Sequence, residues 1–152
     1  MTKKVWLRDF GRGTTKCAVL RSLQRLQLPY LDLVLLHQPY GDCRSAWLDL
    51  EERLRERRVR AIGTSNFIQV PMKDLLQTSA VVPAVNQMEM HPYYSEARYA
   101  GQLKIPGITP QAWAPLFEGK RGIFHSEVLQ KKGVTPSHSP CFPSSSSSES
   151  PR

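Results

Sequence analysis

The stretch from Tyr30 to His37 limits what this chain can become more than any other. Leu31-Asp32-Leu33-Val34-Leu35-Leu36 is short and nearly continuously apolar, the pattern of a strand buried on both faces. Before it, Thr14 to Leu26 carries Val19, Leu20, Leu23 and Leu26 at helical spacing, and Thr14 or Thr15 is the expected N-cap. After it, Tyr40-Gly41-Asp42 reads as a turn and about Ser45 to Arg57 as a helix. That helix is expected to bury Trp47, Leu50 and Leu54 and to turn Asp49, Glu52, Arg53 and Glu56 outward.

The cycle then repeats. Val59 to Gly63 reads as a short strand, with a helix beginning near Pro71, a residue suited to a first helical turn. Ala84 to Glu89 is the next strand, followed by a helix opening at Ser95. Ile108 to Trp113 is a last strand that Pro110 weakens, and Lys4-Val5-Trp6 looks like the tail of another. Such alternation means an α/β chain of parallel units with right-handed crossovers. It leaves two architectures open, a doubly wound sheet or a (β/α)8 barrel. No Gly-x-Gly-x-x-Gly follows a strand, and the polar residues gather at the C-terminal ends of the strands, as on the active face of a barrel.

Charge and cysteine content narrow the function classes. Twenty-one Lys and Arg against thirteen Asp and Glu give +8. The basic run from Arg53 to Arg58 has acids close by and reads as a solvated helix face, without any nucleic-acid signature. Cys17, Cys43 and Cys141 form no C-x-x-C and no metal-ligand spacing, which fits a reducing compartment. No apolar stretch approaches the roughly 20 residues of a membrane span, so no membrane partner and a cytoplasmic setting are expected. Residues 134–152, rich in Ser and Pro, lack periodicity and read as a disordered tail, which leaves 1–133 as the folded part.

The strand ends carry a family resemblance. Thr2-Lys3-Lys4-Val5-Trp6 resembles the T-K-L/V-W segment of aldo-keto reductases. Ser22-Leu23 with Leu26, then Tyr30-Leu31-Asp32-Leu33 and Leu36-His37-Gln38-Pro39, is similar to the family's SL-x-x-L, Y-I/L-DL and I/L-H-x-P blocks. The stretches from Ala61 to Phe67 and from Pro83 to Pro92 resemble A-I-G-V/T-S-N-F and P-A-V-N-Q-x-E-x-H-P, and Ala112 to Leu116 matches A-Y/W-S/A-P-L. Five blocks in family order identify the chain as a member where no single block would.

The resemblance implies NADPH- or NADH-dependent reduction of a small carbonyl substrate to an alcohol, with no metal. Hydride attack builds negative charge on the carbonyl oxygen, so donors must already point there. By position, Lys4 would tune the acidity of a tyrosine proton donor and His37 would orient the carbonyl. Ser65, Asn66 and Gln87 would bond the nicotinamide carboxamide, Trp113 would stack on its ring, and Trp6 would line the substrate pocket. Without the family context, Lys4 reads as a surface lysine, His37 as a structural residue, Ser65-Asn66 as a helix cap and Trp113 as core. Asp32 and Glu89 are expected to serve internal polar contacts of the barrel, and His91 to Tyr94 a structural turn. Gln38 stands where many members carry an aromatic.

The resemblance also places the proton-donor tyrosine and its aspartate before the first block, and a grip on the cofactor's 2′-phosphate after the last. Neither has a counterpart here, so the expectation is an incomplete barrel of about five of eight strands, truncated and impaired. The alternative is a non-catalytic half-barrel that self-associates through its open sheet edges.

Overall fold

The computed structural model describes residues 1–94, 107–127, 129 and 131. Met1–Pro115 form one compact unit and Leu116–Arg152 a second, which contains a 3-10 helix, Phe117–His125. In the first unit the elements run β1 (Thr2–Val5), α1 (Thr14–Leu26), β2 (Leu31–Leu36), α2 (Cys43–Arg55), β3 (Val59–Ser65), α3 (Val70–Thr78), β4 (Val85–Glu89) and β5 (Thr109–Trp113). All strand pairs are parallel, and the sheet order is β1-β2-β3-β4-β5. A doubly wound sheet reverses its order at a switch point. None of these strands does, so the sheet has the order of a barrel wall.

Residues paired across parallel strands share a face, and successive residues alternate. Val5 pairs with Leu36, Val34 with Ile62, and Asn86 with Pro110. Val5, Val34, Leu36, Ile62 and Met88 join Val19, Leu23, Trp47 and Leu50 in one apolar core. This is the face the helices cover. A fully buried aliphatic side chain of this kind contributes about 1.5–3 kcal/mol relative to exposure. The opposite face carries Lys4, Leu35, Gly63, Ser65, Gln87 and Trp113. At Gly63 a Cβ would lie 2.5 Å from Val85 O and 2.7 Å from Leu35 Cδ2, so only glycine lets β3 and β4 approach.

Several local expectations are corrected. The N-cap of α1 is Gly13, and neither Thr14 nor Thr15 caps the helix. Thr15 instead donates to Asp9 O at 2.7 Å, and the Lys16 N–H is received by Asp49 Oδ2 of α2 at 2.9 Å. Asp49 is therefore buried, not outward, because the unpaired N–H groups and positive end of α1 hold its carboxylate. Arg53 is buried as well, its guanidinium paired with Glu56 and 3.8 Å from Glu52. A helical-period count sends both residues to solvent because it sees only their own helix.

Helix α2 begins at Cys43, two residues before Ser45, because Asp42 Oδ1 accepts the Ser45 N–H at 3.1 Å. Among the described residues the Asp32 carboxylate makes no internal polar contact. It is exposed, receiving the Met1 amine and Arg60 Nη1, the latter at 3.1 Å. Pro71 sits in the first turn of α3 as expected. Pro110 is accommodated in β5, which pairs only with β4 among the described residues. His91 and Tyr94 close a turn through two backbone hydrogen bonds of 3.0 and 2.9 Å. The helix expected from Ser95 and the tail 134–152 lie outside the described residues.

Glu51, also on α2, is 3% exposed, and its Oε1 accepts the Ala80 and Val81 N–H groups at 2.8 and 2.9 Å. It anchors the segment that leads into β4. Glu51→Ala strands both donors, and urea unfolding is expected to show a loss of about 2–3 kcal/mol. Glu127→Ala, at an exposed and loosely paired site, is expected to change stability by less than about 0.5 kcal/mol.

Candidate active site

Among the described residues no helix packs on the opposite face, and that face gathers its polar side chains at the C-terminal strand ends. Lys4 lies there on β1, opposite Leu35. His37 follows the end of β2, its backbone N–H donating to Val5 O at 3.2 Å. Leu36 pairs with Thr64 and Ser65 with Gln87, so His37, Ser65 and Gln87 follow one another across neighbouring strands. Glu89 pairs with Trp113 and Gln87 with Gln111, which brings β5 into the same arc. Period-2 alternation thus delivers Lys4, Ser65, Gln87 and Trp113 to one face.

At one end of the arc, Trp6 is half-exposed and its ring centroid stands 4.5 Å from that of His37, tilted by 41°. Burial holds the His37 pKa below its ordinary 6.5, and the Lys4 charge lowers it further. Burial lowers the Lys4 pKa as well. Among the described residues no carboxylate pairs with Lys4. His37 Nδ1 is buried without a hydrogen-bond partner, so a neutral ring is expected to carry its proton on Nε2, the nitrogen that can donate outward.

At the other end, two amides and an indole form a linked set. Asn66 adopts a left-handed backbone, φ 63°, which asparagine tolerates better than most residues. Its N–H donates to Gln87 O at 2.8 Å, and its Oδ1 accepts the Trp113 Nε1–H at 3.0 Å. Asn66 Nδ2 lies 3.4 Å from Oγ of the buried Ser65. Gln87 Nε2 donates to Gln111 Oε1 at 2.9 Å.

Two residues escaped the sequence reading. Gln111 is one, although it shares strand parity with Trp113. Asn86 is the other: fully buried, it accepts from Thr64 Oγ1 at 3.0 Å and Phe67 N at 3.3 Å and donates to Phe67 O at 2.7 Å. It clamps the turn that presents Ser65 and Asn66. Its signal was an asparagine on the helix side of an apolar strand, where it must find partners.

Among the described residues no group of His, Cys, Asp or Glu side chains is arranged to hold a metal ion. A cavity of about 260 Å³ between α2 and α3, lined in part by Asp42, Cys43, Phe67 and Asp74, is lined by none of the strand-end residues named above. Burial and the Asp42 charge push the Cys43 thiol up to about 11, so it is not a thiolate near neutral pH.

The chain matches the model of the Aldo/keto reductase family over residues 1–136. It is 41% identical over 130 residues to the glyoxal reductase of Bacillus subtilis (strain 168), covering 85% of this chain and 46% of that one. It is 32% identical over 143 residues to the methylglyoxal reductase DkgA of Escherichia coli O157:H7, covering 90% and 51%. Among solved structures, a mutant of Gox0644 in complex with NADPH superimposes with a TM-score of 0.80 at 31% identity, covering 87% of this chain and 49% of that one. The chain therefore spans about half the length of the relatives it matches.

The His37 environment has a measurable consequence. Its imidazole resonances are expected to titrate with a midpoint below 6.5. Lys4→Met should move that midpoint upward but leave it below the ordinary value, because burial is the larger cause. The unfolded chain takes up this proton first, so His37 favours the folded state above pH 6.5, and that contribution declines as pH falls towards the folded-state pKa.

Proposed function

The chain belongs to the aldo/keto reductase family, and from that premise we propose that it forms the nicotinamide- and carbonyl-orienting part of a reductase acting on small aldehydes or ketones. The observation that carries this reading is the convergence of Lys4, His37, Ser65, Gln87 and Trp113 on the helix-free face at the strand ends. The residues fit the cofactor's nicotinamide end. Asn66 and Gln87 offer amide groups to a carboxamide, and the half-buried Trp113 offers a ring held in orientation by Asn66. Bound there, NADPH or NADH would supply the hydride.

The chain's own groups would do the rest. His37, neutral because burial and Lys4 disfavour its charged form, would donate from Nε2–H to a carbonyl oxygen and set its position. Lys4 would place positive charge where negative charge develops on that oxygen and would lower the pKa of a neighbouring acid. Trp6, packed on His37, would form an aromatic wall for the substrate. The glyoxal and methylglyoxal reductases among the relatives support a small, reactive carbonyl as the substrate class.

We further propose that a polypeptide of these 152 residues alone turns over slowly. On the family resemblance, Lys4 and His37 would stand for the lysine and the histidine, and the proton-donating tyrosine would belong to a segment before Thr2. General acid catalysis is worth about 10²–10⁴-fold.

NADPH titrated into the chain, followed by energy transfer from tryptophan, is expected to bind saturably. Trp113→Ala should weaken binding about tenfold, the order of one aromatic stacking contact. NADPH oxidation with methylglyoxal should proceed slowly. Absence of saturable binding would refute the cofactor reading, and turnover matching that of full-length relatives would refute the claim of impairment.

A further inference from the structure

Strand β5 touches both amides of the strand-end arc, and it treats them oppositely. The indole N–H of Trp113 can only donate, so the Asn66 amide must turn its Oδ1 towards Trp113; one N–H of its NH2 faces Ser65 Oγ at 3.4 Å and the other is left to offer. One row away, Gln87 and Gln111 are direct register partners on the same face. Gln87 commits one N–H of its Nε2 to Gln111 Oε1 at 2.9 Å, and its Oε1 is left to accept. A carboxamide needs one donor for its oxygen and one acceptor for its NH2. Asn66 and Gln87 held this way supply one of each.

We propose that Gln111 is a positioning residue for the nicotinamide site: its hydrogen bond to Gln87 sets the polarity of that amide, as the Trp113 indole sets that of Asn66. The inference rests on the nicotinamide reading above. A free glutamine has three side-chain torsions to order when a ligand arrives. Gln111 orders Gln87 beforehand, and such pre-organisation strengthens binding without a new ligand contact. The two amides of the Gln87–Gln111 pair could exchange donor and acceptor, so the polarity is testable by making Gln111 one or the other. Gln111 is exposed, so its variants are expected to fold.

The test uses the 152-residue chain with Gln111→Glu, an acceptor only, Gln111→Lys, a donor only, and Gln111→Leu, neither. Two probes are titrated: NADPH, and the reduced dinucleotide in which an acetyl group replaces the carboxamide. The acetyl form keeps the oxygen for Asn66 and puts a methyl where Gln87 would receive N–H. Gln111→Glu should leave NADPH affinity within about twofold. Gln111→Lys and Gln111→Leu should weaken NADPH about three- to tenfold, the range of a single hydrogen bond, and leave the acetyl analogue within about twofold. In the ligand-free chain, the Gln87 side-chain NH2 resonances should shift in the Lys and Leu variants and hold in the Glu variant. Equal weakening of NADPH by all three, or of both dinucleotides alike, overturns the inference. So do unshifted Gln87 resonances with NADPH binding intact, and that result leaves the cofactor reading standing. Failure of the wild-type chain to bind either dinucleotide, with the Gln87 resonances responding, overturns the cofactor reading and with it this use of Gln111.

Discussion

The parallel register of five strands governs everything else in this chain. Because side chains alternate with a period of two, a slip of one residue would exchange the two faces of a strand. Leu35 pairs with Lys4 on one side and Gly63 on the other. A Cβ at position 63 would collide with Val85 O, so only glycine fits there. With the register held there, the apolar set goes to the helices and the chemical set to the other face. Fold and site are thus two outcomes of one alignment.

Buried polar groups then fix how helices and turns attach to that sheet. Asp49 caps α1 from α2, and Glu51 holds the approach to β4. Asn86 holds the turn after β3. Each joins elements distant in sequence, and each satisfies backbone N–H groups that would otherwise be buried unpaired. The precision of Ser65 and Asn66 comes from this framework: Asn86 clamps the turn from below, and Trp113 restrains the Asn66 amide from β5.

Strands, their parallel sense and the strand-end clustering were legible in the sequence, because Leu31 to Leu36 and its counterparts signal burial through composition alone. The family blocks supplied the candidate site residues. What stayed hidden depends on contacts between elements. Asp49 and Arg53 read as solvent-facing on their own helix, and Thr14 or Thr15 reads as a cap because the competing carboxylate comes 33 residues after Lys16. Asp32, expected inside, is held at the surface by the Met1 amine and Arg60. Gln111 was passed over because a glutamine on a weak strand carries no signal until its register partner is known.

On the proposed function, the nicotinamide end of a dinucleotide meets the face opposite the helices at the strand ends. The three tryptophans report on it directly. Trp113 and Trp6 stand on that side, whereas Trp47 is buried in the helix-covered core with its indole N–H on Val81 O at 3.2 Å. Titrating NADP⁺ into the ¹⁵N-labelled chain while following the three indole N–H resonances, assigned by Trp→Phe substitution, tests the claim. Saturable shifts are expected at Trp113 and Trp6, with Trp47 unmoved. Shifts confined to Trp47, or none at Trp113, would contradict it.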